Sequence, residues 1–157
     1  MQDNRTLEQI YRSAVSGLYA RLKSNYDFLY QKFGEDGLKL IAEMSREYGL
    51  NIAARAKRKL QGNDLKSVSE YLLRIFNTVS YGKYTNRDIE VSPDRVIIKV
   101  TECPLHFNNP AMCQAHTTME KTVVEELNHM LTYRIGKSIP AGDSYCEHII
   151  ERKNPGI

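Results

Sequence analysis

Every cysteine and every histidine of the chain lies after residue 102. Most of them come in close couples. Cys103 and His106 share the run Cys-Pro-Leu-His, Cys113 and His116 stand three residues apart, and Cys146 and His148 two apart. A thiolate is a nucleophile and a soft metal ligand, and an imidazole moves protons near neutral pH. Three segments that each bring one thiol and one imidazole are therefore the makings of a nucleophile's pocket or of a ligand set. Zinc and iron–sulfur clusters are the metal chemistry that Cys103, Cys113 and Cys146 would suit together. Against a metal stands the spacing, since no two cysteines are separated by only two residues.

Each couple has its own local logic. Asn109-Pro110 is a helix start, with a capping side chain and proline at the first helical position. Cys113 then falls in the opening turn, where unpaired N–H groups and the helix dipole favour a thiolate. That makes it the candidate nucleophile; the plainer alternative is a small buried hydrophobe. His116 lies one turn along on the apolar face, as proton carrier or as a satisfied core residue. Cys146 and His148 point the same way along a strand, so both face a pocket or neither does. Cys103 sits where the chain changes direction, and His106 reads as a loop residue. Asp143, in the turn Gly142-Asp143 just before Cys146, is a candidate substrate contact, more apt to hold the turn than to act as an acid. Glu125 or Glu126 with His129 forms a carboxylate–imidazole pair at helical spacing, read as a solvated helix end.

The elements that position these residues divide the chain in two. The first part, residues 1–80, has neither Cys nor His and reads as helices. Leu7, Ile10, Ala14, Leu18 and Leu22 recur at helical spacing; so do Ile41, Met44, Tyr48, Ile52, Ala56 and Leu60, and then Val68, Tyr71, Leu72, Ile75, Phe76 and Val79. Gly34 and Gly37 separate the first two stretches, and Gly62-Asn63-Asp64 closes the second and caps the third. This half covers a sheet or offers a partner surface. From about residue 86 to 152 the period changes. Arg87–Val91 and Arg95–Thr101 read as strands around Ser92-Pro93-Asp94. One helix follows to about Met130, with Met112, His116, Met119, Val123, Leu127 and Met130 on its inner face. Thr132–Ile139 and Ser144–Arg152 are the closing strands. The layout is an α+β single domain: helices, then a β-β-α-β-β antiparallel sheet with a packed helix.

Bulk properties narrow the classes. With 157 residues, 41% hydrophobic and 26% charged, the chain suits one globular domain with a real core. A net charge of +3 is too mild to argue for nucleic acid. The run Arg55, Lys57, Arg58, Lys59 sits at a helix end, where cations are favourable anyway. No apolar run is long enough for a transmembrane helix, and the polar N-terminus is no secretory signal. An odd number of cysteines without that signal points to reduced thiols and to the cytoplasm. A homodimer through the helices is the base-rate expectation for an assembly.

The carboxyl-terminal block, "VTECPLHFNNPAMCQAH" and then "YRIGKSIPAGDSYCEHIIER", resembles the L-2-amino-thiazoline-4-carboxylate hydrolase-like family. The resemblance rests on Cys103-Pro104 after a strand, Cys113 opening a helix, and Gly142-Asp143 with Cys146 in a closing strand. The same closing motif resembles the 4-vinyl-reductase-type small-molecule-binding domain. The likeness covers about residues 86 to 152. After the last cysteine those families carry an acid and then an aromatic residue, whereas here Glu147 is followed by His148. What the resemblance implies is a pocket between helix and sheet lined by Cys103, Cys113 and Cys146. Two functions follow as expectations. One is a hydrolase acting on a small C–N or C–S heterocycle or amide-like compound, with Cys113 as nucleophile and His116 or His148 moving the proton. The other is a sensor or carrier that uses the same cysteines to hold a metal, a cluster or a small ligand.

Overall fold

The computed structural model describes residues 4–80 and 88–153 of the chain. Helices α1 (Leu7–Phe33), α2 (Glu35–Lys57) and α3 (Leu65–Ser80) come first. The hairpin β1 (Ile89–Val91) and β2 (Arg95–Val100) follows, then α4 (Pro110–His116), α5 (Thr118–Leu127), β3 (Leu131–Ile135) and β4 (Cys146–Arg152). The four strands form an antiparallel sheet in the order β1-β2-β4-β3. The α+β class and the strand–strand–helix–strand–strand order agree with the sequence reading. Arg87, where the first strand was expected to begin, lies outside the described residues.

One face of the sheet is the core. On β4, Cys146, His148 and Ile150 point to it, opposite Val100, Ile98 and Val96 of β2. On β3, Leu131, Tyr133 and Ile135 complete the same face. Ile98, Leu131 and Ile150 are fully buried there, each contributing about 1.5–3 kcal/mol of apolar burial. Helices α3 and α5 cover this face, and α2 lies across α5 and α4 with α1 beside it. The polar face of the sheet carries ion pairs such as Arg134–Glu151 at 2.7 Å and Lys99–Glu90.

Three helical readings need correction. In α1 the stripe Leu7, Ile10, Ala14, Leu18 faces solvent, with Leu7 83% and Leu18 70% exposed, and the buried residue of this helix is Tyr26. In α2 the inward face is Leu38, Ile41, Ser45, Gly49, Ile52, Ala53 and Ala56, while Met44 and Tyr48 are exposed. The cause is close packing: a Cβ on Gly49 would lie 2.8 Å from the Met119 carbonyl oxygen and 2.9 Å from Thr122 Cβ. Small residues, not large ones, let α2 approach α5. The expected single helix from Pro110 to Met130 is two, broken at Thr117. Its hydroxyl and that of Thr118 both donate to the Gln114 carbonyl at 3.3 Å, competing with the main-chain ladder. Met130 lies beyond α5 and is exposed.

The connections behave largely as read. Gly34 takes φ +57 between α1 and α2, while Gly37 lies inside α2, where a Cβ would meet Leu29 O at 2.3 Å. Asp64 Oδ1 accepts from the Ser67 N–H at 2.8 Å and so caps α3. The α3 stripe is buried through Leu65, Val68, Leu72 and Phe76. β3 stops at Ile135, four residues before the expected end, because the chain turns through the short 3-10 segment Ile139–Ala141.

Candidate functional site

Asn109 Oδ1 accepts from Ala111 N at 2.9 Å and sets the start of α4. Cys113, one turn in, is buried on the inner side of that helix. Cys146 and His148 reach the same region from β4, which the sheet holds by pairing Cys146 with Val100 and His148 with Ile98. Cys103 arrives on the loop 101–107, pinned by the buried Leu105 and Phe107. The result is a cavity of about 650 Å³ whose walls include all three cysteines, His116, His148 and Glu120. A second depression of about 510 Å³, between α3 and the β1–β2 hairpin, is lined by neither Cys nor His.

Two tyrosine–histidine pairs brace the cavity. Tyr26 of α1 lies 3.1 Å from His116 Nδ1, and Tyr133 of β3 lies 2.6 Å from His148 Nδ1. Rings reinforce both: Phe107 stands edge-on to His116 with centroids 5.7 Å apart, and Phe76 stands 4.6 Å from His148. Each imidazole keeps part of its surface open to the cavity while burial excludes its charged form. Burial pulls both histidine pKa values down to about 4, and His148 is lowered further by His116. Each tyrosine oxygen is hydrogen-bonded to Nδ1, which holds the ring and leaves Nε2 as its other hydrogen-bonding atom.

Cys113 and Cys146 are held protonated. Burial pushes Cys113 up to about 12, helped by the nearby Cys146, Cys103 and Glu120. Cys146 is raised for the same first reason, offset in part by the Ile139 N–H, which donates to its Sγ at 3.2 Å. The helix start therefore does not give a standing thiolate at Cys113. Desolvation outweighs the dipole, and the Cys113 N–H is already spent on the Asn109 carbonyl at 3.2 Å.

Glu120 is the residue that sequence reasoning missed. It lies in the first turn of α5, 5% exposed, among otherwise apolar neighbours. Burial raises its pKa to about 7, against a smaller opposing bond from its own backbone N–H. Its Oε2 has no hydrogen-bond partner among the described residues. The available signal was spacing: Glu120 follows His116 by four residues and precedes Val123 and Val124, placing a carboxylate on an apolar stripe.

Other expected site residues fall elsewhere. Asp143 is not part of the cavity lining; its Oδ2 accepts from the Ser138 N–H at 2.8 Å and closes the turn. His106 borders the cavity from the loop, in a left-handed conformation with φ +49. His129 is an exposed turn residue past α5. Glu125 bonds Lys121 and Thr132, and Glu126 pairs with Lys57 at 3.1 Å, which makes this the solvated helix end expected. Among the described residues no three His, Cys, Asp or Glu side chains stand together as a metal ligand set. Cys103, Cys113 and Cys146 share one cavity but do not, as placed, compose a three-thiolate centre for zinc or an iron–sulfur cluster.

Comparison with protein-family models gives no match, and no curated protein matches the chain. Among the described residues no helix is long and apolar enough to cross a membrane.

Proposed function

We propose that the chain is a hydrolase-like enzyme acting on a small C–N or C–S heterocycle or amide-like compound held in the cavity. The observation that carries the reading is the convergence of Cys113, Glu120 and two braced neutral imidazoles on one space of about 650 Å³, the size class of small-molecule sites. The family likeness of the Cys103, Cys113 and Cys146 motifs points the same way.

The chemistry follows from the pKa values. A thiol near 12 needs a base, and histidines near 4 are poor ones, so the proton-carrying task expected of His116 or His148 falls to Glu120, whose value near 7 matches the task. Cys113 sulfur adds to the electrophilic carbon while Glu120 takes the thiol proton. The protonated carboxyl returns that proton to the leaving nitrogen or sulfur as the ring or amide bond breaks. Water, deprotonated by the same carboxylate, then releases the acyl or imidoyl group and restores the thiol. The neutral histidines serve as fixed hydrogen-bonding groups that hold the substrate. No step passes through a metal. Free, reduced cysteines suit a reducing compartment such as the cytoplasm, and the exposed apolar residues of α1 are the surface a second copy would cover.

The test is a panel of thiazolines, cyclic amidines and lactams, with ring opening followed as new thiol or amine. Turnover by the wild type, lost in Cys113→Ser and Glu120→Gln with the fold intact, is the expected result. Full activity in Cys113→Ser overturns the mechanism. A second reading, reversible small-molecule binding in a sensor or carrier, is favoured by one observation: burial keeps Cys113 and Cys146 protonated in the resting site. Ligands that bind and are recovered unchanged would decide for it.

A further inference from the structure

We infer that the cavity selects a small molecule carrying a protonated nitrogen on an apolar body, and that Glu120 is the residue that recognises that nitrogen. The inference rests on the reading of the cavity as a small-molecule site and goes beyond it by naming the charge of the ligand.

Glu120 is 5% exposed, lines the cavity, and leaves Oε2 without a hydrogen bond from any described residue. Buried polar groups are almost always paired, and an unpaired buried carboxyl is costly. An orphan acceptor on a cavity wall is paired when something enters the cavity. The groups facing Glu120 do not supply a charge to answer it. Tyr26 on α1, Cys113 on α4 and Tyr133 on β3 sense its charge and are all kept neutral by burial, as are His116 and His148. Arg12 and Lys99, which border the same cavity, are paired with Glu8 and Glu90. Among the described residues no unpaired cation faces Glu120, so the partner we infer is a donor that comes with the ligand, and a cationic donor satisfies a carboxylate best.

The rest of the wall sets the ligand's body. Phe76, Val100, Phe107, Ile135 and Ile139 give the cavity apolar sides that suit an aromatic or aliphatic frame, and the charged residues at its border are Arg12 and Lys99, each ion-paired, with Asp88 and Glu102. The role is compatible with proton transfer at Cys113, because a carboxylate has two oxygens: one can hold the N–H of the bound nitrogen while the other receives the thiol proton.

Three probes of one shape test it: benzylamine, benzyl alcohol and benzoate, titrated into the full chain at pH 7.5 by calorimetry. Benzylamine should bind about tenfold or more tighter than benzyl alcohol, with benzoate weakest. In Glu120→Gln that preference should fall to about twofold or less while benzyl alcohol binding persists. Should the variant fail to fold, the wild type alone gives the answer. At pH 6.5 benzylamine should release a proton from the carboxyl it pairs with, read as a buffer-dependent heat, and benzyl alcohol should not. Equal binding of alcohol and amine, or an unchanged preference in Glu120→Gln, overturns the role of Glu120 but leaves the small-molecule cavity. If none of the three binds at about 10 mM, a weak-binding limit, the cavity reading falls and the inference with it.

Discussion

Two tendencies oppose each other at Glu120. It sits in the first turn of α5, where free N–H groups favour a carboxylate, yet it is buried among Val123, Val124 and the tyrosines, where charge is penalised. Burial prevails and leaves the group titrating near 7. A base works in its ionised form, so kcat/KM for ring opening should rise with pH through about 7 and level off above it. Glu120→Gln should lose that inflection together with about 100-fold or more of the rate. A profile whose limb survives in the variant would move the base to another residue. The two histidines make a separate case. Tyr133→Phe removes the partner of His148 Nδ1 at 2.6 Å and should raise KM for a bound substrate more than it lowers kcat, because it loosens a fixed hydrogen-bonding ring without touching the nucleophile. A fall in kcat alone, with KM unchanged, would make His148 a participant in the chemistry.

Helix packing decides which of these residues meet. The cavity depends on α2, which packs on α4 and on α5, the latter lying on β3, and α2 comes close to α5 at Gly49. Gly49→Ala would put a methyl 2.8 Å from Met119 O, one residue from Glu120. It should cost about 1–3 kcal/mol of stability by overpacking, seen as a lower urea midpoint at unchanged slope; a neutral result would mean that α2 shifts freely. This element also shows what the sequence could and could not disclose. The α3 stripe was legible because Val68, Leu72 and Phe76 are large, apolar and spaced by four. The α2 face was half-read, since Ser45 and Gly49 carry no hydropathy signal although both are buried. The α1 stripe was legible as a helix but not in its setting, because periodicity reports an apolar face and not what covers it; Leu7 and Leu18 are exposed, while Leu22 packs against the core. The three thiols were legible as a group because Cys103 follows a strand end, Cys113 a helix cap, and Cys146 opens a strand after a turn. Glu120, Tyr26 and Tyr133 were not, because their roles depend on contacts between segments far apart in the chain.

For the whole molecule the buried titratable groups fix where stability peaks. His116 and His148 fall from an ordinary 6.5 to about 4, so the stability their neutral burial contributes is complete above pH 6.5 and is lost as pH falls toward 4. Glu120 runs the other way: raised from 4.5 to about 7, its contribution is complete below pH 4.5 and is lost as pH rises through 7. Between pH 4.5 and 6.5 the unfolded chain binds two protons on these histidines, whereas the folded chain keeps one on Glu120. Stability should therefore rise with pH by about 1.4 kcal/mol per unit across that interval from these groups. It should flatten or turn over near pH 6.5–7, where the histidine contribution is complete and the carboxyl begins to ionise. Glu120→Gln removes the opposing member. It should gain on the order of 3 kcal/mol relative to the wild type between pH 5 and 8, and its acid limb should steepen to about twice the wild-type slope because two protons, not one, separate the states. Urea unfolding of both proteins from pH 4.5 to 8 measures this directly. Parallel curves would mean that Glu120 is not desolvated in the folded chain, and the base near 7 and the cation-selecting carboxyl would then fall together.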